Sequence, residues 1–316
     1  MTRFEIAFLF PGQGSQTVGM GVGLAATYQP AKHVFDEVND ALNENLFEIM
    51  ANGPDDLIRM TRNAQPALFA ASMAALRVLE SKLGKSLSDE NAVCAGHSLG
   101  EYSALAAAGS LKLGDAAKLL RQRGDAMQEA VPVGVGAMAA ILGGDEDQIS
   151  AIIAASKDVG LVEIANDNAP GQIVISGAAD AVDKAIDEAK AVGLRRAIKL
   201  PVSAPFHCGL MAPAAEVMRN ALAANQINDA KMPVFCNVTA AAEISADKLR
   251  ANLIKQVTGR VRWRETLMAM QTAGCRLYIE LGTGKILSGL VKRTLQDVRI
   301  VNLDGPDDLD SVLAEL

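Results

Sequence analysis

The sequence predicts an α/β fold: a parallel-sheet core interrupted by a small inserted α+β unit. Three patterns lead there. Short apolar strands run into turn residues and then into small-residue helices, the order that builds parallel sheets. Between Val133 and Lys199 the pattern reads β-α-β-β-α-β, the signature of a ferredoxin-like unit. Pro132 and Pro201 bracket that stretch, so the larger unit leaves off before it and resumes after it.

Taken in order, residues 4–10 form an apolar strand that stops at Pro11-Gly12-Gln13-Gly14-Ser15-Gln16, a loop in which glycine permits tight turns. Residues 19–63 read as helical, with a break at Asn52-Gly53-Pro54. Gln65-Pro66 is expected to open an Ala/Leu-rich helix over 67–83, because proline suits a first helical position. A strand over 92–95 leads through Gly96-His97-Ser98-Leu99-Gly100 into helices over 101–108 and 114–130. The inserted unit has strands over 137–142, 161–165, 172–176 and 195–199, with helices over 146–155 and 179–191. Afterwards come helices over 212–224, 249–256 and 263–273, and strands over 234–238 and 277–281. The expected organisation is a discontinuous large domain, 1–131 with 200–316, around a small one, 132–199.

Composition narrows the function classes. Half of the 316 residues are hydrophobic and 21% are charged, which suits a globular chain able to bury a sizeable core. The balance of 30 Lys+Arg against 37 Asp+Glu gives a net charge of −7, which argues against a general nucleic-acid or anionic-membrane binder. Cys94, Cys208, Cys236 and Cys275 are scattered without a CxxC pair, as expected of free thiols in a reducing compartment. With three histidines and no HExxH, a metal site is not expected. No stretch approaches the ~20 apolar residues of a membrane span, and the first ten residues lack a signal-peptide pattern. A cytoplasmic protein is the expectation.

Gly96-x-Ser98-x-Gly100 carries the chemistry. It follows a short strand and opens a small-residue helix, the context of a nucleophile elbow. The sharp turn lifts a serine hydroxyl clear of the backbone, and a Cβ at either flanking glycine would strike neighbouring chain. The helix amino terminus directs its dipole at developing negative charge, and the Leu99 N–H is the natural first oxyanion donor. Serine needs a base, and only His33, His97 and His207 are present. The His97 side chain is expected to diverge from its neighbour Ser98. His33 reads as a solvated histidine on a surface helix. His207 lies in Pro201-Val202-Ser203-Ala204-Pro205-Phe206-His207, a stiff loop at the domain junction, and reads either as the base or as a capping loop histidine. Arg123, in Arg121-Gln122-Arg123-Gly124, reads by pattern alone as a solvated turn of helix. Gly12-x-Gly14-x-x-Thr17 lacks the third glycine of a dinucleotide fingerprint, and Gly282-x-Gly284-Lys285-Ile286 lacks the spacing and Ser/Thr of a P-loop; both are turns after strands.

Together these segments closely resemble malonyl-CoA:acyl carrier protein transacylases. The likeness rests on Phe10-Pro11-Gly12-Gln13-Gly14-Ser15-Gln16, Gly96-His97-Ser98-Leu99-Gly100-Glu101-Tyr102-Ser103 and Arg121-Gln122-Arg123-Gly124. It extends to Gly136-Ala137-Met138-Ala139-Ala140, Asn166-Asp167-Asn168-Ala169-Pro170-Gly171-Gln172, Ala204-Pro205-Phe206-His207, and Gln256 ahead of Trp263. Order and spacing agree from about Phe4 to Thr294, with Thr283 and Arg260 standing where proline is frequent or found in some members. The resemblance implies an α/β-hydrolase-like core with a ferredoxin-like insert. It implies Ser98 as nucleophile, His207 as base, and the Gln256 carbonyl orienting that histidine. Gln13 and Leu99 would supply oxyanion N–H groups, and Arg123 would hold a malonyl carboxylate. Asn166 and Asn168 lie near the site in the family, and Phe206 resembles the residue that disfavours a methyl branch. The implied reaction is ping-pong transfer of malonyl from malonyl-CoA to the phosphopantetheine thiol of acyl carrier protein, in fatty acid synthesis. No cofactor is implied beyond the CoA thioester substrate, and a monomer is expected. An acidic carrier would need a local basic patch, with Arg195, Arg196, Arg262 and Arg264 as candidates. A serine thioesterase or hydrolase of the α/β-hydrolase class is the alternative, although such enzymes usually order Ser, Asp/Glu, then a histidine near the carboxyl end. A non-catalytic binding module on the same fold is the third reading.

Overall fold

The computed structural model describes residues 3–194 and 196–316. Its strands are β1 (Ile6–Phe10), β2 (Ala92–Gly96), β3 (Gly136–Leu142), β4 (Val162–Ala169), β5 (Gln172–Ala178), β6 (Arg196–Lys199), β7 (Val234–Cys236), β8 (Ala241–Glu243), β9 (Leu277–Leu281) and β10 (Arg299–Leu303). Six of them make one sheet in the order β10-β9-β1-β2-β7-β8, parallel throughout except for the β7–β8 edge. The other four make a separate antiparallel sheet in the order β4-β5-β3-β6.

Strands buried on both faces have to be apolar on both, and β1 shows how. Phe8 and Phe10 face a core shared with the long helix Thr61–Leu83, while Ala7 and Leu9 face a second core with Trp263, Leu267 and Leu290. β2, Ala-Val-Cys-Ala-Gly, lies between β1 and β7, and its small side chains let helices approach both faces. A third core fills the space between the antiparallel sheet and the helices Glu146–Ser156 and Ala179–Ala191.

Several elements depart from the sequence expectation. The helix expected to open at Gln65-Pro66 begins at Thr61 and carries Pro66 inside it. Pro66 withdraws the N–H that the Arg62 carbonyl would receive, a local cost outweighed by the burial of nearly every following residue to Leu79. β4 runs on to Ala169 with register shifts after Ile164 and Asp167, so Asn166, Asp167 and Asn168 belong to an irregular strand. β8, β10 and the helices Ile286–Thr294 and Leu309–Leu313 carry too little periodicity over too few residues to be read from sequence. Among the described residues, no helix is long and apolar enough to cross a membrane.

One ionic cluster joins the antiparallel sheet to the helix Trp263–Thr272 and the loop ahead of it. Asp167, 1% exposed, accepts hydrogen bonds from Arg260 Nη2 at 2.9 Å and from Arg264 Nε at 2.9 and 3.0 Å. Backbone bonds from Asp167 N to Val261 O and from Val261 N to Ala165 O continue the seam. Removing the carboxylate would leave two neighbouring guanidinium groups with only the more exposed Glu146 as a shared partner. Because both arginines keep partial solvent access, Asp167→Ala should lose roughly 2–4 kcal/mol, less than a fully buried pair would. Urea unfolding of the variant beside the unsubstituted protein measures this, and an unchanged midpoint would rule out a stabilising seam.

Candidate active site

The site is built around a turn that few residues can make. β2 ends at Gly96, the helix Gly100–Ala107 starts four residues later, and Ser98 between them sits at φ 52°, in the left-handed region. A Cβ on Gly96 would lie 1.8 Å from the Gly100 carbonyl oxygen, and one on Gly100 would lie 2.3 Å from that of Phe10. Asn237, just past β7, straps the turn. Its Oδ1 accepts from Ser98 N at 2.7 Å and its Nδ2 donates to Gly96 O at 2.7 Å. Strain of this kind persists only where the surroundings enforce it.

Of the three histidines, His207 is the one that stands against Ser98. His207 Nε2 lies 2.7 Å from Ser98 Oγ, and its Nδ1 lies 2.9 Å from the Gln256 carbonyl oxygen. A carbonyl can only accept, so Nδ1 carries the proton and Nε2 presents a lone pair to the serine O–H. His207 also holds a left-handed φ of 59° and is buried. Burial first, then the nearby Arg123 charge, push its pKa down to about 3, so the ring is neutral near pH 7. His97 turns away as expected, with Nε2 2.8 Å from Asn168 Oδ1 and its ring edge-on to Trp263. His33 is exposed beside Gln29 on the outer helix Gln29–Leu42.

Arg123 is not a solvated residue. At 1% exposure it lies inside the protein, with Nη2 3.1 Å from Ser98 Oγ and 2.9 Å from Gln256 Oε1, and Nη1 2.7 Å from Gln65 Oε1. Its guanidinium carbon stands 5.9 Å from the centre of the Tyr102 ring. Because Arg123 donates to Ser98 Oγ, the hydroxyl proton is left to point at His207. Gln13 lies on the β1 loop, whose Gly12 packs so closely that a Cβ would meet the His97 carbonyl oxygen at 2.6 Å. Among the described residues, the N–H groups of Gln13 and Leu99 have no intrachain acceptor. These side chains line a cavity of about 440 Å³, walled further by Met127, Met138, Asn166, Val174 and Phe206. Asn168 lines it too, while holding His97.

Three participants receive no role in the sequence reading: Gln65, Asn237 and Glu101. Gln65 and Asn237 are polar residues in segments that read as helix opening and strand end. Glu101 did leave a trace, as a carboxylate in the otherwise small and apolar helix GEYSALAA. The expected basic patch is altered. Arg262 is paired with Glu265, Arg264 is engaged by Asp167 and Glu146, Arg196 is exposed, and Arg195 lies outside the described residues. Arg260 binds Asp167 and Glu146 and does not reach the cavity. No group of three or more His, Cys, Asp or Glu side chains is placed to hold a metal among the described residues.

Comparison with known proteins agrees in extent. Residues 7–307 match the model of the acyl transferase domain family. The malonyl CoA-acyl carrier protein transacylase of Bacillus subtilis is 43% identical over 313 residues, covering 99% of this chain and 97% of that one. The crystal structure of an acyl-carrier-protein-S-malonyltransferase from Bartonella henselae superposes with a TM-score of 0.96 at 47% identity, covering 98% of this chain and 99% of that one. A type II PKS acyl-carrier protein in complex with its malonyl-transacylase gives a TM-score of 0.94 at 39% identity, covering 99% and 100%.

The lowered pKa of His207 can be read directly. Proton NMR of the imidazole Cε1–H should show no protonation between pH 8 and about 4.5, since the folded ring titrates near 3 and not near the ordinary 6.5. A midpoint close to 6.5 in the folded protein would mean the ring is solvated.

Proposed function

This chain belongs to the acyl transferase domain family, and from that premise we propose that it transfers malonyl from malonyl-CoA to the phosphopantetheine thiol of acyl carrier protein through a malonyl-Ser98 intermediate. The observation that carries the reading is a buried guanidinium whose Nη2 stands 3.1 Å from the serine oxygen, which itself faces a neutral imidazole at 2.7 Å. A charge of that kind suits a substrate with a free carboxylate close to its reacting carbonyl.

Ser98 Oγ attacks the thioester carbonyl and gives its proton to His207 Nε2. The Gln13 and Leu99 N–H groups receive the oxyanion, an arrangement whose loss typically costs ~10²–10³ in rate. The tetrahedral adduct collapses, and His207 returns the proton to the departing CoA sulfur. The carrier thiol then enters, gives its proton to His207 and attacks malonyl-Ser98, restoring the serine. The Gln256 carbonyl holds Nδ1–H, so the neutral tautomer keeps its lone pair toward Ser98 in both halves of the cycle. A hydrolase places a carboxylate there, which stabilises imidazolium more strongly; a neutral acceptor leaves a weaker base, one suited to a thiol more than to water.

Arg123 is held by the neutral oxygens of Gln65 and Gln256, so its charge is available to a carboxylate, which it can grip through two parallel hydrogen bonds. An acetyl group would leave the buried cation unpaired, at roughly 3–5 kcal/mol. Phe206 forms a bulky wall that suits an unbranched malonyl unit, and Asn166 and Asn168 complete the polar side of the cavity. The strand-turn-helix elbow on a parallel sheet supports an α/β-hydrolase-like core over 1–131 and 200–316. The spatial order β4-β5-β3-β6 supports a ferredoxin-like unit over 132–199. A monomeric enzyme is our reading, and buried free thiols support a cytoplasmic setting. Fatty acid synthesis is the pathway we assign, with the CoA thioester as a substrate and no further cofactor.

Intact-mass measurement after brief mixing with malonyl-CoA should show one added malonyl group on the unsubstituted protein, discharged by holo carrier protein, and none on Ser98→Ala. Failure to label, or labelling of Ser98→Ala, would defeat the reading. Arg123→Ala should load malonyl about 10²–10³-fold more slowly, the rate equivalent of an unpaired buried charge, while acetyl loading holds or improves. Equal losses for both acyl groups would remove the carboxylate clamp.

A further inference from the structure

Glu101 is 0% exposed and its carboxylate touches the site only through other residues. Oε2 accepts from Gln256 Nε2 at 2.8 Å and from Asn237 N at 3.0 Å, while Oε1 has no hydrogen-bond partner among the described residues. On its other end the same Gln256 amide accepts from Arg123 Nη2 at 2.9 Å. Guanidinium, amide and carboxylate therefore form one chain, with the amide dipole aligned between a cation and an anion. No carboxylate stands in direct ion-pair contact with Arg123 among the described residues.

Resting on the function proposed above, we propose that Glu101 is the resident counter-charge of Arg123, acting through the Gln256 amide, and that an incoming substrate carboxylate displaces it from that role as Glu101 takes one proton from solvent. One buried cation can balance one buried anion. Once the substrate carboxylate grips Arg123 directly, two anions share one guanidinium. The anion held at second hand, with a bare Oε1, is the one that neutralises. Burial already pushes the Glu101 pKa up to about 7, against the hydrogen bonds from Asn237, Gln256 and the Cys236 thiol and the Arg123 charge. The other ionisable groups around it do not titrate in that range. Burial pushes Tyr102, Cys94 and Cys236 upward, and pushes His97 and His207 downward. Arg123 remains a cation, its pKa lowered by burial but from a very high starting value. Glu101 is thus a positioning residue: it touches neither substrate nor reacting atoms, and it sets the charge that a substrate must bring.

The test is the equilibrium between free and malonyl-loaded full-length protein in mixtures of malonyl-CoA and CoA, quantified by intact mass from pH 6 to 8.5. If loading takes up one proton, the loading constant of the unsubstituted protein should be flat below about pH 7 and fall by up to roughly tenfold per unit above it. Glu101→Gln, which can still accept from Gln256 and Asn237, should abolish that fall and load roughly tenfold better at pH 8. Ionisation of the CoA thiol acts on both proteins alike and cancels in their ratio. Glu101→Ala removes the acceptor altogether and should lower the loading constant at every pH, with no recovery at high pH. Parallel pH curves for the unsubstituted protein and Glu101→Gln would overturn the proposal. Should Glu101→Gln not fold, a flat curve for the unsubstituted protein overturns it just as well. Absence of any malonyl adduct on the unsubstituted protein would instead defeat the functional reading beneath it.

Discussion

Burying one guanidinium organises this molecule. An arginine stays charged at any physiological pH, so taking Arg123 out of water obliges the fold to surround it with acceptors. Gln65 arrives from the long helix Thr61–Leu83, Gln256 from the helix Ala246–Thr258, Ser98 from the elbow, and the Tyr102 ring from the helix that follows it. Three stretches far apart in sequence, at Gln65, at Ser98 to Tyr102 and at Gln256, are thereby held at one point. Their acceptors are oxygens without formal charge, and the nearby Glu101 carboxylate reaches the guanidinium only through the Gln256 amide.

The second constraint is conformational. Ser98 and His207 both hold left-handed backbone angles that L-residues seldom adopt, and they face each other across a hydrogen bond. Each is pinned by its surroundings. Gly96 and Gly100 allow the chain to fold back on itself around Ser98, and Asn237 ties the two arms of that turn together. His207 is anchored through Nδ1 to a backbone carbonyl, a partner that cannot rotate away as a side chain could. The Ser98–His207 pair is therefore held in one geometry by the fold itself, and under the proposed function little reorganisation would be left for the moment of reaction.

The antiparallel sheet serves as a wall. Met138 of β3, Val174 of β5 and Asn166 of β4 close one side of the cavity, and the Asp167 cluster fixes β4 against the loop ahead of Trp263. Because Asp167 separates Asn166 from Asn168, the same seam orients the Asn168 side chain that holds His97. Stability and site geometry share these residues, so loosening the seam would move the wall as well as weaken the fold.

Sequence alone determined what depends on local chemistry. The elbow was legible because Gly-x-Ser-x-Gly after a strand and before a small-residue helix meets a steric need that few other residues satisfy. The parallel sheet was legible because strands covered on both faces must be apolar on both. The order of strands and helices between Val133 and Lys199 was legible from hydrophobic period. Residue pattern left the histidine open and read Arg123 as solvated, and only the resemblance named His207; tertiary structure puts His207 against Ser98, buries Arg123 and brings Gln65, Asn237 and Glu101 beside them. It also paired Arg264 with Asp167. Those outcomes rest on distances between segments dozens of residues apart. A polar side chain looks the same in sequence whether water or a buried cation is its partner, and only the packed chain tells the two apart.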